Sequence, residues 1–412
     1  MPENWEPVVH TLQDPVDLRA TPAAYLARLS ALVRDSSTPW IAWSGALFPG
    51  RQRPASDALE AALAGVGPAI LCLAGGENKP QAQSWLSHFS SGRCIPWLWR
   101  RYALLALLNA LRHPLPTPFY LPFQLAFAVS PSAIGHAGRH GPALTSLPAG
   151  AVRARRSALP HILPVVAASV RPPAILSPGD ESPAISVALC AYNEADRIAW
   201  AIASVLAQSD SSWELLIVDD GSTDETAATA RACVRQDPRV TLLQLPANQG
   251  KAHALNHALA AARGRFLLEL DADDWLPPHA VKSMREAMDD AAQSVSLLTF
   301  DHFVWRRARS GELLPRGVLP ASAPVVSKRE ARVPIPRLYR TSALRELGGW
   351  QTTDASGGRL FEDVAITREV QRRGAVARGS GALYHRVIRQ SSVSQTHRTA
   401  YRPWAERQFH GM

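Results

Sequence analysis

The chain has 412 residues, 46% hydrophobic and 19% charged, which excludes a disordered polymer and leaves room for two or three domains with a sizeable core. Its formal charge is +9, from Arg scattered in small groups (Arg153–Arg156, Arg306-Arg307, Arg372-Arg373). No block resembles a nucleic-acid module, so no nucleic-acid partner is expected, and the basic excess suits an anionic membrane surface or phosphate-bearing substrates. Cys72, Cys94, Cys190 and Cys233 form no Cys-x-x-Cys pair, and no His cluster supplies a zinc spacing. They read as reduced thiols of a cytosolic protein. No basic-then-apolar leader opens the chain, and no apolar run approaches the roughly 20 residues that span a bilayer. The expected location is cytoplasmic, either free or peripheral at the inner face of the membrane.

Residues 1–150 read as an α/β domain of uncertain role. Pro22–Val33 has helical spacing, Trp40–Leu47 and Ala69–Leu73 look like strands, and Ser56–Ala64 looks like a helix capped by Ser56. Trp97–Leu111 (WLWRRYALLALLNAL) reads as a helix. It would either lie on a membrane with its Trp and Leu side down or be buried, and its thin polar face favours burial. Trp40–Pro49 echoes Leu268–Pro277, and Ser132–Gly138 echoes Ser342–Gly348, in the same order. Internal similarity can mark a duplicated unit. On that reading residues ~35–150 are a degenerate copy of the later half of the second domain, with Trp43 and Gly45 where that domain has Asp271 and Asp273. Residues 151–182, rich in Pro, Ala and Arg, read as a linker.

From residue 183 the chain becomes rhythmic. Strands are predicted over Ile185–Cys190, Glu214–Val218, Val240–Leu245 and Phe266–Leu270. Helices alternate with them over Asp196–Gln208, Thr223–Arg235 and Lys251–Ala262. Such alternation predicts a mostly parallel sheet covered on both faces. Each strand then ends in polar residues on one rim: Ala191-Tyr192-Asn193-Glu194, Asp219-Asp220-Gly221-Ser222-Thr223-Asp224, Asn248-Gln249-Gly250-Lys251, and Asp271-Ala272-Asp273-Asp274. Ligands bind at such carboxyl ends. Ser222 or Thr223 capping the next helix would explain the turns. It would not explain paired Asp219 and Asp220, or Lys251 opening a helix. The i, i+2 pair Asp271 and Asp273 can face one hard divalent cation, which takes oxygen ligands and holds phosphate oxygens beside it. Neither G-x-G-x-x-G nor a P-loop is present.

After Leu298 the rhythm breaks. Thr299–Glu330 is basic and irregular and reads as a loop that either covers the site or is ordinary surface. Thr341–Leu347 is a predicted short helix, closed by Gly348-Gly349-Trp350. Glu362 and Asp363 open a helix that runs to Arg373. Acids at a helix N-terminus are favoured by its dipole, and an ionised carboxylate on a rigid element is also what a general base needs.

Together these motifs, from about Ile185 to Ser394, resemble the family-2 glycosyltransferases with a GT-A fold. The resemblance rests on AYNE at 191–194, DDGSTD at 219–224, Asn248-x-Gly250-Lys251, Asp271-x-Asp273-Asp274, Gly348-Gly349-Trp350 and Glu362-Asp363. It implies an α/β fold with a Rossmann-like, mostly parallel GT-A catalytic domain over 183–395, followed by a C-terminal extension over 396–412. It implies inverting transfer of one sugar from a nucleotide-diphosphate donor, commonly a UDP-sugar, to a glycan or lipid-linked acceptor. Ala191, Tyr192, Glu194, Asp219, Asp220, Lys251 and Asp271 would then bind the nucleotide, with Tyr192 and Asp219 or Asp220 holding the base. Asp273, with Asp271, would bind Mn²⁺ or Mg²⁺. Asp363 would be the general base, with Glu362 beside it. Trp350, His385, Arg386 and Arg389 are candidates for diphosphate or acceptor contact. The Q-x-x-R-W pattern of processive synthases is absent, which favours single-sugar addition. A sugar nucleotidyltransferase would want a Gly-rich basic loop after the first strand, which Ala191–Glu194 does not supply. A non-catalytic sugar-nucleotide sensor or scaffold is the other alternative.

Overall fold

The structure is a computed structural model that describes residues 9–11, 22–36, 40–42, 70–73, 97–111, 120–128, 134–137, 149–170, 182–234, 237–308, 312–327, 329–354, 356–389 and 398–408. The chain divides into two compact units, residues 1–171 with 307–314, and residues 172–306 with 315–412.

In the first unit the elements are β1 (Val9–Thr11), α1 (Pro22–Asp35), β2 (Trp40–Ala42), β3 (Ile70–Leu73), β4 (Trp97–Arg100), α2 (Arg101–Ala110), α3 (Leu121–Ala128), β5 (Ile134–Ala137) and α4 (Ala149–Val170). The predicted helix over Ser56–Ala64 and the strand beyond Ala42 lie outside the described residues. Two expectations are corrected here. Trp97–Leu111 is not one helix: its β-favouring WLWR start pairs with β2 and β3 as a strand, and the helix begins only at Arg101. The supposed linker is helical through Val170, despite Pro160 and Pro164. Ala158, Ile162, Val165 and Val166 recur at helical spacing and are buried, and burial of that stripe outweighs the hydrogen bonds that the prolines remove.

The second unit contains β6 (Ile185–Ala191), α5 (Ile198–Leu206), β7 (Trp213–Asp219), α6 (Thr226–Val234), β8 (Val240–Gln244), α7 (Lys251–Ala261), β9 (Phe266–Asp271) and α8 (Ala280–Asp290). It continues with β10 (Val295–Arg307), β11 (Leu313–Leu319), β12 (Val325–Val326), β13 (Ala331–Arg332), β14 (Leu338–Arg340), α9 (Thr341–Glu346), α10 (Glu362–Arg373), β15 (Ala375–Ile388) and α11 (Tyr401–Gln408). Among the described residues β8, β7, β6 and β9 are parallel neighbours. β14 then runs antiparallel to β9, β10 antiparallel to β14, and β15 parallel to β10. The expected mostly parallel α/β sheet is thus met on one side and becomes mixed on the other. The presumed loop Thr299–Glu330 is largely strand. Phe300, Val304 and Trp305 of β10 are buried, whereas Arg306 and Arg307 at its end are exposed.

Central strands are apolar on both faces, as a sheet covered on both sides requires. Alternation sorts them into two cores. Val187, Leu189, Leu215, Ile217, Leu268 and Leu270 face α5 and α8, whereas Ala188, Leu216, Val218 and Leu267 face α7 and α9. The same period puts Glu269 and Asp271 on the face of Leu267, towards α7. Glu269 is buried and answered by Arg337, at 2.9 and 2.7 Å, and by the Tyr339 hydroxyl, which donates at 2.9 Å.

The strand order β1-β2-β4-β3-β5 of the first unit, read as parallel, antiparallel, antiparallel, parallel, is the order β6-β9-β14-β10-β15 of the second. In each, the third strand in space passes directly into a helix, β4 into α2 and β14 into α9. The pairings Trp40 with Arg100 and Phe266 with Arg340 put Trp40 at the place of Phe266. Counting on, Gly45 and Leu47, not Trp43 and Gly45, take the sequence positions of Asp271 and Asp273. The other echo fails, because Ile134–Ala137 is strand where Thr341–Glu346 is helix.

Truncating Arg337 to Met should leave Glu269 buried and unpaired, at a cost of about 3–5 kcal/mol. Denaturant unfolding measures this, and replacing both partners by apolar residues should recover most of the loss. Equal loss in single and double variants would mean that the pair is not the source.

Candidate active site

The polar strand ends converge because their loops hold one another. The Asn193 amide donates to Ser222 Oγ at 2.9 Å and the Thr223 amide to Asn193 Oδ1 at 2.9 Å. The Glu194 amide donates to Thr226 Oγ1 at 2.8 Å. Asp224, rather than Ser222 or Thr223, caps α6, accepting from the Thr226 amide at 3.0 Å. Tyr192 stands at the rim, 44% exposed.

The two aspartates after β7 have different tasks. Asp220 lies on the α7 face and accepts from the amides of Gln249 and Gly250, both at 2.8 Å, which fixes the entry of α7. Gly250 has φ +101, and a Cβ there would meet Arg359 Cγ at 2.7 Å. Asp219 makes longer contacts, 3.2 Å from the Ser222 amide and 3.5 Å from Gln244 Nε2. Asp219 therefore has the freer oxygens.

Lys251 opens α7 and reaches two acids, Asp271 Oδ1 at 2.6 Å and Glu362 Oε1 at 3.8 Å. Burial alone would lower its pKa, but Asp271, Glu362 and Glu269 raise it, so it stays protonated. Burial pushes the Asp271 carboxyl up, and Lys251 first, then Arg337 and Arg386, bring it down to about 2. Asp273 is raised by burial and by Asp271, against the pull of Arg389. Arg389 pairs with Asp273 and, at 3.2 Å, with Glu194. Asp274 turns away from the site and accepts from the Val387 amide at 2.8 Å. Burial, Asp273 and Asp271 raise its pKa well above the usual range.

Glu362 and Asp363 form the first turn of α10, after Phe361 in left-handed backbone at φ 60. The Glu362 carboxyl is pushed up to about 7, by burial first and then by Asp363, with Lys251 opposing. Asp363 accepts from the Val364 amide at 2.8 Å.

Two candidates for diphosphate or acceptor contact are not at the rim. Trp350 is buried, edge-on to Tyr339, and its backbone exchanges two 2.8 Å hydrogen bonds with the Asn256 side chain. His385 is fully buried and stacked between Trp275 and Phe303, at 4.7 and 4.6 Å. Its Nδ1 accepts from Trp305 Nε1 at 3.0 Å. The apolar stretch around it drew it into the core. Arg389 and Arg386 remain near the acids. The sequence reading missed the Glu269–Arg337–Tyr339 network. Its signal was the acid within the apolar run FLLEL, two residues before Asp271 and so on the same face.

The donor set fits a divalent cation in chemistry: hard carboxylate oxygens, close enough that Asp271 raises the pKa of Asp273. Among the described residues no trio of His, Cys, Asp or Glu is placed to hold a metal alone. Asp271 and Asp273 would share the cation with oxygens of a bound substrate.

Residues 186–360 match the sequence model described as Glycosyl transferase family 2. Over those residues the chain is similar to the family-2 glycosyltransferases. It is 38% identical over 159 residues to the succinoglycan biosynthesis protein ExoO of Rhizobium meliloti (strain 1021), covering 37% of this chain and 44% of that protein. Similarity to EpsE of Bacillus subtilis (strain 168) is 29% over 193 residues, covering 45% and 66%. These matches span less than two thirds of either relative. A crystal structure of S. aureus TarS 1-349 in complex with UDP aligns at TM-score 0.40 and 22% identity, over 50% of this chain and 60% of that one. Among the described residues, no helix is long and apolar enough to cross a membrane.

Glu362 yields a pH test. Its pKa rises on folding from 4.5 to about 7, so between those values the folded protein binds more protons at this group than the unfolded chain. Its stabilising contribution is present below 4.5 and is lost as pH rises through about 7. Glu362→Gln should therefore gain stability relative to wild type across that window, measured by urea unfolding at a series of pH values. A pH-independent difference would show that Glu362 titrates normally.

Proposed function

We propose that the chain transfers one sugar from a nucleotide-diphosphate sugar, of the UDP class, to a hydroxyl of a glycan, lipid-linked or other glycoconjugate acceptor, with inversion. The observation that carries this is the double contact of Lys251, 2.6 Å to Asp271 and 3.8 Å to Glu362. It joins the acids at the end of β9 to the acid pair on α10 in a single site. Tyr192 and Asp219 bind the base, Asp220 keeps the α7 entry in shape, and Arg386 and Arg389 answer the diphosphate. Asp271 and Asp273 would hold Mn²⁺ or Mg²⁺, which neutralises charge developing on the nucleoside-diphosphate leaving group. Asp363 removes the acceptor hydroxyl proton as that oxygen attacks the anomeric carbon opposite the leaving group. The name of ExoO refers to succinoglycan biosynthesis. By that likeness this chain serves assembly of a bacterial-type surface glycan, from the cytoplasm or the inner face of the membrane.

Residues 1–150 we read as a degenerate half of the same sheet, without catalysis. The repeated strand order supports this, and the positions of Asp271 and Asp273 are taken by Gly45 and Leu47. One nucleotide–metal site per chain follows.

Asp363→Asn should lower turnover at least ~100-fold, the scale of a lost general base, while donor binding survives. Comparable loss of both would make Asp363 structural. The donor class is read by thermal unfolding with UDP, GDP, CDP and dTDP, with and without Mn²⁺. A ligand at about 100 times its Kd adds about 2.7 kcal/mol, a shift of a few degrees for a domain this large. A metal-dependent shift with one nucleotide, abolished by Asp273→Ala, is the expected result. Residual metal-dependent binding in that variant would put a second site in residues 1–150. No shift with any nucleotide would favour a scaffold.

A further inference from the structure

The turn that delivers Glu362 and Asp363 is strained and externally held. Phe361, just before them, sits at φ 60, a left-handed conformation that a non-glycine residue keeps only when its surroundings impose it. Gly358, three residues earlier, has φ +70, and a Cβ there would meet Ala252 Cβ at 2.7 Å. The turn therefore lies against the first turn of α7, beside Lys251. Arg359 donates to the Asn248 carbonyl at 2.7 Å, and the Ala252 amide donates to the Gly358 carbonyl at 3.2 Å. Contacts on the α7 side tie the turn down at Gly358 and Arg359, and Lys251 reaches Glu362 at 3.8 Å. They do not reach Phe361.

The contacts to Phe361 come from α11. Its ring packs against Tyr401 at 5.3 Å and Trp404 at 5.0 Å, within an apolar cluster that includes Val364, Ala365 and Ala405. The Trp404 indole N–H donates at 2.8 Å to Asp354 Oδ2. The other oxygen of that carboxylate accepts from the amides of Ser356, at 3.1 Å, and Gly358, at 2.7 Å. One side chain of α11 thus touches both ends of the turn. Tyr401 anchors the helix on the other side, its hydroxyl donating to the Ser327 carbonyl at 2.7 Å. The family match ends at residue 360, so α10 and α11 lie beyond it.

We propose that α11 is a clamp on the turn at Asp354–Phe361, and that Trp404 is a positioning residue that aims Glu362 and Asp363. The clamp acts on geometry and touches neither donor nor metal. Its catalytic consequence rests on the glycosyltransferase reading, whereas its structural consequence does not.

The test uses the full chain with Trp404→Ala, Trp404→Phe and Asp354→Asn. Hydrogen exchange of peptides covering residues 356–366 should accelerate at least ~10-fold in Trp404→Ala, as local opening loses its restraint, with β6, β7 and β9 unchanged. Trp404→Phe keeps the ring contact and should restore part of the protection. Metal-dependent nucleotide binding should stay within about 2-fold of wild type, while kcat falls ~10- to 100-fold at unchanged donor KM, as for a misaimed group. Asp354→Asn replaces one of the two acceptor oxygens that link Trp404 to the turn, should loosen that link in the same way, and serves if Trp404→Ala does not fold. Wild-type exchange at 356–366, or wild-type kcat in both Trp404→Ala and Asp354→Asn, would overturn the clamp. Nucleotide binding lost together with kcat would overturn its restriction to the acid pair. If wild type itself binds no nucleotide, the glycosyltransferase reading fails, and the exchange data still decide the clamp.

Discussion

Carboxylates crowd the carboxyl ends of the strands, some answered by backbone amides and five answered by cations. Lys251 answers Asp271 and Glu362, Arg389 answers Asp273 and Glu194, and Arg337 answers Glu269. Unpaired buried charge is far costlier than paired charge, so these contacts set which way each loop can turn. Lys251 joins the strand that ends the parallel half of the sheet to the helix that opens at Glu362. Its own position depends on Asp220, which holds the amides of Gln249 and Gly250.

The antiparallel return of the chain steadies the acid turn from below. β14 brings Arg337 and Tyr339 under Glu269, and β15 brings the Tyr384 hydroxyl to the Asp271 amide at 3.1 Å. The same strand fastens Asp274 through the Val387 amide, and His385 fills the aromatic layer behind. Of the three polar candidates on this strand and its exit, His385 packs in the core and Arg386 and Arg389 stay near the acids. The division follows strand alternation and the chain's departure from the sheet after Ile388.

Burial divides the acids by role. Asp271 is held ionised at about 2 by its cations, whereas Glu362 rises to about 7 where solvent is excluded and Asp363 is adjacent. Cys190, on the α7 side of the same sheet, is raised chiefly by burial and stays a thiol, as expected of a packing residue.

The residues alone determined the βα rhythm from Ile185 to Asp271 and the collection of polar ends on one rim. These follow from local periodicity and from turn chemistry that neighbours in sequence decide. They also marked Lys251, Asp271, Asp273, Glu362 and Asp363, because acids and a lysine at strand and helix ends have few bland explanations together. Tertiary structure alone decided the rest. β10 and β15 were unreadable because register shifts between them break the alternation of buried and exposed residues, and the α4 stripe was masked by its prolines. Trp350 and His385 looked like site residues from their motifs, yet packing drew both into the core. Asp219 and Asp220 are indistinguishable in sequence. Strand alternation turned one towards the α7 entry and left the other freer at the rim. Which partner answers each charge depends on residues far apart in the chain, and only the folded sheet brings those together.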